Sequence, residues 1–241
     1  MASVVELAEQ DRRLRAETAL RLMESGVTIY RPDTCVIDAE VEVAPGAIIE
    51  PYVQLLGRTK VGPGSRIRSF TVIENCTLGS NVTVLPHCVF ADSAIEDGAI
   101  LGPFSRLRPE CEIGEEVHIG NFVEIKKSRV GKRTKVGHLA YVGDAEVGEG
   151  ANIGAGVITC NYDGVRKHRT VIGNGVFVGS DSALVAPVEI ADGAYIGAGS
   201  TITKNVPAGA LAVGRARQVT KEGWVEARRA RRELEKQAQK P

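Results

Sequence analysis

Branched apolar residues recur at nearly every sixth position between Val43 and Ile202. Four of the intervals are five residues long instead of six, so three successive intervals usually add up to 17 or 18 residues. A short strand with one apolar side chain can bury it only by stacking on the strands above and below, and a hexapeptide period is therefore typical of a β-solenoid with three sides. The pattern predicts an all-β fold, a parallel β-helix of about nine coils over residues 31–207.

Thr159 is the one polar member of this series. The complete series is Val43, Ile49, Leu55, Val61, Ile67, Ile73, Leu78, Val84, Phe90, Ile95, Leu101, Leu107, Ile113, Ile119, Ile125, Val130, Val136, Val142, Val147, Ile153, Thr159, Ile172, Val178, Leu184, Ile190, Ile196 and Ile202.

A helix is predicted to precede the solenoid. Residues 3–25 contain helix-forming residues without Pro or Gly, and Gly26 supplies a stop. The apolar residues that recur on roughly one face are Leu7, Leu14, Leu20 and Met23. A solvated amphipathic cap explains this helix at least as well as a functional role, and the family resemblance given below implies that residues 1–30 are a linker helix.

The apolar period fades after Ile202. Residues 208–224 are expected to be irregular, and residues 225–239 are expected to form a strongly charged helix or a frayed tail. Residues 208–241 are therefore interpreted as a C-terminal arm followed by a charged tail.

Composition narrows the choice of partners. Thirty basic residues balance thirty acidic ones, so neither nucleic acid nor a membrane surface is indicated as a partner. The chain has no apolar run of 18 residues and no secretory-type N-terminus, from which we expect a cytoplasmic protein. The five cysteines lack C-x-x-C spacing, which disfavours disulfides and thiolate zinc sites and favours reduced, buried thiols.

One insertion interrupts the repeat. The interval from Thr159 to Ile172 is 13 residues, so residues 160–169 must leave the solenoid at one corner. Loops on a rigid scaffold carry function more often than the scaffold does. An inert insertion is the alternative.

Counting along the coils places two cations above one another. Arg108 and Lys126 occupy the same offset on adjacent coils, with no acid predicted between them. Their repulsion at that spacing is about 1 kcal/mol in water and roughly 3 kcal/mol at a protein surface. A bound anion such as phosphate would remove this repulsion, whereas the alternative is that both side chains extend into solvent.

A second column begins with a polar pair and continues with small residues. Its members are Asn121, His138, Ala155, Ser180 and Ala198. From His138 to Ala198 it extends about 14 Å, long enough to seat a thin ligand whose reactive end meets the imidazole. An imidazole can act as a general base near neutral pH, although a surface histidine is more often without a role. The four histidines show no zinc-site spacing.

Several motifs give the chain a family resemblance. They are Gly102-Pro103-Phe104-Ser105-Arg106-Leu107-Arg108-Pro109, Gly120-Asn121-Phe122-Val123-Glu124 with Lys126-Lys127, Gly137-His138-Leu139 with Tyr141, Asn152-Ile153-Gly154-Ala155-Gly156, Thr159-Cys160-Asn161-Tyr162-Asp163-Gly164, Val178-Gly179-Ser180-Asp181 and Lys221-Glu222-Gly223-Trp224. With them the chain resembles the left-handed β-helix, hexapeptide-repeat acyltransferases over about residues 12–224. Within these it is most similar to the C-terminal acetyltransferase half of the bacterial bifunctional N-acetylglucosamine-1-phosphate uridylyltransferase and glucosamine-1-phosphate acetyltransferase.

The resemblance implies a role for each matching residue. His138 would be the proton acceptor. The sugar phosphate would be held by Arg108, Lys126, Tyr141, Asn152 and Lys167. Acetyl-CoA, the cosubstrate, would be bound by Ala155, Asn161, Tyr162, Ser180, Ala198 and Arg215.

The resemblance also implies an oligomeric state and the absence of one domain of the family. The family forms homotrimers whose sites are shared between chains. Its uridylyltransferase domain, which uses Mg²⁺, has no counterpart here, so no metal is expected and the chain is expected to be a fragment that cannot make UDP-N-acetylglucosamine alone.

The reaction implied is acetyl transfer from acetyl-CoA to the amine of glucosamine 1-phosphate, a step toward cell-wall and lipopolysaccharide precursors. A transferase for another acyl donor or amino sugar is an alternative within the fold. A noncatalytic β-helix that serves as an oligomerisation or regulatory module is the alternative from another class, and it would need neither His138 nor the loop.

Overall fold

Thirty short strands, two α-helices and a 3₁₀ helix at Pro32–Thr34 make up the computed structural model, which describes residues 3–238. The strands are β1 Thr28–Ile29, β2 Val36–Ile37, β3 Glu42–Val43, β4 Ile48–Ile49, β5 Gln54–Leu56, β6 Lys60–Val61, β7 Arg66–Ile67, β8 Val72–Glu74, β9 Thr77–Leu78, β10 Thr83–Val84, β11 Val89–Ala91, β12 Ser93–Ile95, β13 Ile100–Leu101, β14 Arg106–Leu107, β15 Cys111–Ile113, β16 His118–Asn121, β17 Glu124–Lys126, β18 Arg129–Val130, β19 Lys135–His138, β20 Tyr141–Gly143, β21 Ala145–Val147, β22 Asn152–Ile153, β23 Ile158–Cys160, β24 Thr170–Ile172, β25 Phe177–Val178, β26 Ala183–Val185, β27 Val188–Ile190, β28 Tyr195–Ile196, β29 Thr201–Ile202 and β30 Leu211–Ala212. The helices are α1 Val4–Glu24 and α2 Trp224–Ala238.

Every third strand joins the same parallel sheet. Within the described residues, sheet A contains eleven strands from β1 to β30, sheet B ten from β2 to β29 and sheet C nine from β3 to β27. The three sheets form the sides of a solenoid, which confirms the predicted parallel β-helix. The turn from sheet A to sheet B is called the first corner, and the turn from sheet B to sheet C the second corner.

The apolar series lines the interior. None of its members is more than 7% exposed, from Val43 at the lower end to Ile202 at the upper end. The polar member, Thr159, is buried as well, and its hydroxyl accepts the N–H of Gly143 at 2.8 Å and donates to the Gly143 carbonyl at 3.0 Å. Both hydrogen-bonding capacities of this buried hydroxyl are therefore used, which explains why the core tolerates it.

The N-terminal helix begins and ends as predicted. Ser3 caps it, exchanging hydrogen bonds with Glu6 in a capping box. The helix ends just before Gly26, which has a left-handed φ of 97°. The predicted apolar face is wrong for Leu7, Leu14 and Leu20, which are exposed, whereas Met23 packs against the core.

Helix α1 packs on the first coil through Thr18, Ala19 and Leu22, which are buried. Threonine and alanine allow the close approach that larger residues would prevent. None of the helices in the described chain is long and apolar enough to cross a membrane.

The C-terminal arm is more regular than predicted. Strand β30 pairs with β28, so Leu211 and Ala212 extend sheet A by one coil. Helix α2 confirms the predicted charged helix to Ala238, and the end of that prediction at Gln239 lies outside the described residues.

The first corner carries a column of stacked rings that the spacing of apolar residues did not indicate. The rings belong to Tyr52, Phe70, His87, Phe104 and Phe122, with successive centroids 5.0, 5.0, 4.8 and 5.1 Å apart. Each residue has a left-handed backbone conformation, which turns its side chain outward at the corner. We call this set the aromatic column.

The cysteines are all free. Four of them, Cys35, Cys76, Cys88 and Cys111, are buried as predicted, and burial raises the pKa of the Cys76 thiol to about 12. Cys160 differs, because it is only half-buried at the start of the inserted loop.

Candidate functional site

His138 and Asn121 lie side by side at the first corner. Strands β16 and β19 pair with these two residues opposite each other, and Nδ1 of His138 contacts Oδ1 of Asn121. An amide oxygen only accepts hydrogen bonds, so in the neutral ring Nδ1 carries the proton and Nε2 can receive one. The imidazole is exposed, which leaves Nε2 accessible to a ligand.

The small-residue column continues upward from this pair, as the coil arithmetic predicts. Its members are Asn121, His138, Ala155, Ser180 and Ala198, and each belongs to the next coil along sheet A. The N–H of Gly156 donates to the His138 carbonyl at 3.1 Å, and the N–H of Gly199 to the Ser180 carbonyl at 2.8 Å. Above His138 the column is therefore a hydrogen-bonded strip without bulky side chains.

Arg215 reaches the upper end of this strip. Its Cδ lies 3.8 Å from the position that a Cβ on Gly199 would occupy, and Gly199 follows Ala198 in the chain. The structure thus brings Arg215 beside Gly199, the chain neighbour of Ala198, although the two lie on different segments.

Arg108 and Lys126 stack on adjacent coils at the second corner, as predicted from their spacing. The expectation of no acid between them is wrong. Arg108 Nη1 lies 3.2 Å from Glu124 Oε1, and Lys126 Nζ lies 3.3 Å from Asp144 Oδ2. The cations are therefore partly compensated before any anion binds.

Lys167 approaches this pair from the inserted loop. A hydrogen bond between the two amines lowers the pKa of Lys167 and raises the pKa of Lys126. The charge of Arg108 also lowers the pKa of Lys167, and the Asp144 carboxylate raises it. We call Arg108, Lys126 and Lys167 the cation cluster, and their mutual repulsion favours binding of an anion among them.

Asn161 ties the start of the loop to the solenoid. It is 7% exposed, and its Nδ2 donates to Tyr141 Oη at 3.4 Å and to Asp144 Oδ2. Asn161 therefore packs back against the coils of its own chain, although the loop as a whole leaves the solenoid. Tyr162, the next residue, is 61% exposed and points away.

The rest of the loop is a small closed hairpin. Tyr162 and Lys167 form an antiparallel bridge. Asp163 accepts the N–H of Arg166 at 2.6 Å and lies 2.6 Å from His168 Nε2, and these hydrogen bonds lower the pKa of Asp163 to about 2. The loop is thus an ordered arm beside the second corner.

The candidate residues fall into two groups on opposite edges of sheet B. The small-residue column occupies the first corner, and the cation cluster and the loop occupy the second. Gly143 lies opposite Lys126 in the parallel pairing of β17 and β20, and it follows His138 by five residues. Five extended residues span roughly 15 Å, which is the scale of the separation between the two groups. Tyr141 lies between the two groups on β20.

Asn152 is not brought to the cation cluster. It lies on β22 in sheet A, opposite Lys135 below and Phe177 above, whereas Tyr141 lies in sheet B. The residues that resemblance assigns to the sugar phosphate therefore occupy two sides of one solenoid.

A groove of about 860 Å³ lies between the loop and the second corner. Its lining includes Asp144 and the loop residues Lys167, His168 and Arg169, and no member of the small-residue column lines it. This groove alone does not join His138 to the cations.

Asp144 was missed by sequence reasoning. Its carboxylate contacts Lys126 and Asn161, two of the assigned residues. Its position in the sequence could have indicated it. On the coil above Lys126, Asp144 lies one residue beyond the offset that Arg108 and Lys126 share. Across residues 3–238, no three His, Cys, Asp or Glu side chains are grouped closely enough to hold a metal ion.

Comparison with known protein families identifies the same hexapeptide repeat. The pattern described as bacterial transferase hexapeptide (six repeats) matches residues 92–127 and 169–204. The chain is 56% identical over 231 residues to the bifunctional protein GlmU of Koribacter versatilis, an alignment covering 96% of this chain and 49% of that protein. The chain belongs to the hexapeptide-repeat transferase family.

Other members of the family align over a similar extent. The bifunctional protein GlmU of Sorangium cellulosum is 51% identical over 226 residues, covering 94% of this chain and 47% of the relative. This hexapeptide-repeat chain therefore spans about half the length of the curated relatives that it matches.

Solved structures share the fold at much lower identity. The UDP-N-acetylglucosamine acyltransferase of Francisella novicida has a TM-score of 0.57 and 17% identity, covering 78% of this chain and 67% of that one. LpxA from Acinetobacter baumannii has a TM-score of 0.54 and 22% identity, covering 84% and 77%. At these identities the likeness supports the β-helix of the hexapeptide-repeat family and nothing finer.

Proposed function

We propose that this chain transfers an acetyl group from acetyl-CoA to the amine of glucosamine 1-phosphate. The observation that carries the proposal is His138, held by Asn121 at the foot of the small-residue column. Identity above 50% to proteins named GlmU, over nearly the whole chain, supports it. The product, N-acetylglucosamine 1-phosphate, would feed UDP-N-acetylglucosamine synthesis in the cytoplasm.

In the proposed reaction the amine attacks the thioester carbonyl. A new N–C bond forms, the C–S bond breaks, and coenzyme A leaves as a thiolate. His138 Nε2 takes a proton from the attacking nitrogen and returns a proton to the thiolate, acting as a general base and then as a general acid. Cys160 is not placed beside a histidine that could activate it, so no covalent acyl-enzyme is invoked.

The developing oxyanion needs a donor near Ala155. Gly156 N–H already donates to the His138 carbonyl, whereas the Ala155 N–H has no backbone acceptor within residues 3–238. Ala155 N–H is therefore the better candidate, with the exposed hydroxyl of Ser180 one coil above it. Donors aimed at the oxyanion stabilise the transition state more than the substrate.

The cation cluster would hold the phosphate of the sugar substrate. Three cations with only two nearby carboxylates, Glu124 and Asp144, leave a positive excess at the second corner. Each lysine still has N–H donors for phosphate oxygens after its present contacts. Tyr141, between the groups, would contact the sugar.

We further propose a homotrimer whose sites are shared between chains. The proposal is supported by the separation of the small-residue column from the cation cluster on opposite edges of sheet B. A neighbour whose first corner faces the second corner of this chain would bring His138 of one chain toward Lys126 of the other. The exposed aromatic column at the first corner supplies apolar surface for such a contact.

One assay tests the proposed reaction. Release of the coenzyme A thiol is measured with acetyl-CoA and either glucosamine 1-phosphate or glucosamine, using the chain as it stands. We expect turnover with the phosphate ester, little with glucosamine, and a loss of roughly 10²- to 10⁴-fold for His138→Ala. The matched control, His118→Ala, removes an exposed imidazole from β16 and should keep normal turnover.

A noncatalytic module predicts no thiol release from any of these mixtures. Near-normal turnover of His138→Ala from pH 6 to 9 contradicts the base assignment, even if the acetyl transfer itself is observed.

A further inference from the structure

Asp144 occupies an unexpected place for an acid, because it lies inside a cluster of cations. It follows β20 at the second corner, with a left-handed φ of 49°. Its side chain is 13% exposed, and that of its partner Lys126 is 15% exposed. Removing a carboxylate from water has a cost, so its presence needs compensating contacts.

Those contacts reach three different segments. Asp144 Oδ2 accepts from Lys126 Nζ at 3.3 Å on the coil below and from Asn161 Nδ2 at the start of the loop. The Asp144 carbonyl accepts the N–H of Thr170 at 3.2 Å, where the loop rejoins sheet C. One residue therefore binds both ends of the inserted loop and one member of the cation cluster.

The loop carries residues assigned to both substrates. Lys167 is assigned to the sugar phosphate, and Tyr162 to acetyl-CoA, and the two form an antiparallel bridge. A contact that fixes the base of the loop therefore fixes the position of both side chains.

We propose that Asp144 is a positioning residue that holds Lys126 and the base of the loop in the geometry that binds glucosamine 1-phosphate. This inference rests on the proposed function and deepens it, because it adds a residue to the phosphate site. Asp144 acts through Lys126, Lys167 and Tyr162 and makes no contact with phosphate itself.

Charge gives this role a distinctive signature. The groups that face the two lysines are Asp144, Arg108 and Tyr141, and the Asp144 carboxylate raises the pKa of both Lys126 and Lys167. Removing that charge makes each ammonium easier to deprotonate. Affinity for the phosphate ester should then fall at a lower pH than in the unmodified chain.

The experiment compares Asp144→Asn with Asp92→Asn. Asp92 lies at the same corner three coils below, also with a left-handed φ, 43°, and it is exposed. Initial rates and calorimetric binding of glucosamine 1-phosphate are measured from pH 6.5 to 10. For Asp144→Asn we expect KM and Kd to rise about tenfold at pH 8. The alkaline limb, the pH range in which affinity for glucosamine 1-phosphate falls as the pH rises, should move down by about one pH unit. Asp92→Asn should match the unmodified chain.

Asp144→Glu separates charge from shape. It keeps the carboxylate but moves it by one methylene, so Kd should rise while the alkaline limb stays in place. If Asp144→Asn binds as tightly as Asp92→Asn, or if its Kd rises equally at every pH without moving the limb, the positioning role is overturned.

Failure of the proposed reaction is recognised separately. A chain that binds glucosamine 1-phosphate but transfers no acetyl group refutes the reaction, and the calorimetric comparison still decides the role of Asp144. A chain that binds no glucosamine 1-phosphate refutes both.

Discussion

Asn121 Oδ1 contacts Nδ1 of His138 across two paired strands, at the foot of the small-residue column. The contact selects the tautomer with a free Nε2 and holds the ring in one orientation. A base held in this way loses less entropy when the transition state forms.

Asn121→Ala should therefore lower kcat by roughly 10- to 100-fold and leave KM for both substrates nearly unchanged. The loss should be smaller than that of His138→Ala, because the base itself is still present. Steady-state kinetics measure both constants, and His118→Ala in the same strand is the control. Normal kcat in Asn121→Ala contradicts the orienting role.

The second prediction concerns the cation cluster. Arg108→Ala and Lys126→Ala should each weaken binding of glucosamine 1-phosphate far more than binding of acetyl-CoA, because both cations lie at the proposed phosphate end. Calorimetry with each substrate measures the difference. Lys127→Ala is the matched control, since Lys127 follows Lys126 but turns outward to pair with Glu110 at 3.3 Å. An equal loss of affinity for glucosamine, which lacks the phosphate, rules the assignment out.

The third prediction tests sharing of the site between chains. His138 at the first corner and Tyr162 at the second lie on opposite edges of sheet B, so we expect a site to combine them from two chains. His138→Ala and Tyr162→Ala should each be nearly inactive and should regain activity when refolded together. Acetyl transfer is assayed after mass spectrometry has confirmed mixed trimers. Mixed trimers no more active than either parent refute the shared site.

The fourth prediction concerns the aromatic column. Its rings repeat once per coil, and a second copy of this chain offers a surface with the same repeat. Phe104→Ser and Phe122→Ser should shift the sedimentation profile toward monomer, since each removes apolar surface from the proposed contact. Leu20→Ser, which alters an equally exposed residue on α1, should not. Unchanged trimers in both column variants place the contact elsewhere.

The fifth prediction follows from the low pKa of Asp163. Hydrogen bonds from Arg166 and His168 lower it to about 2 from an ordinary value of 3.8. Their contribution to loop stability is complete above pH 3.8 and should be lost as the pH falls through about 2. Hydrogen-exchange protection of the Arg166 amide should fall over that range. The Gly143 amide, which donates to Thr159 Oγ1, is the control for global unfolding. Constant Arg166 protection down to pH 2 contradicts the prediction.

Much of the candidate site could be located by counting. A β-helix converts a sequence offset into a position in space, so the pairing of Asn121 with His138 and the stacking of Arg108 on Lys126 followed from the period alone. The roles of these residues came from family resemblance, since offset arithmetic specifies neighbours and not chemistry.

Contacts made by corner residues could not be counted in the same way. Asp144 contacts Lys126 although its backbone is left-handed like that of the exposed Asp92, and Asn161 is buried while Tyr162 is exposed. The face of α1 that packs on the solenoid was likewise mispredicted, because Thr18, Ala19 and Leu22 make the close contact whereas the predicted leucines are exposed.

The sequence by itself determined the solenoid, its register and the place of its one insertion, because a strand with one inward side chain must repeat that side chain on every coil. Only the tertiary structure decided that the candidate residues divide between two corners and that Asp144 joins Lys126 to both ends of the loop. The reason is that corners and loops take their geometry from individual backbone conformations and side-chain contacts, which the apolar period does not constrain.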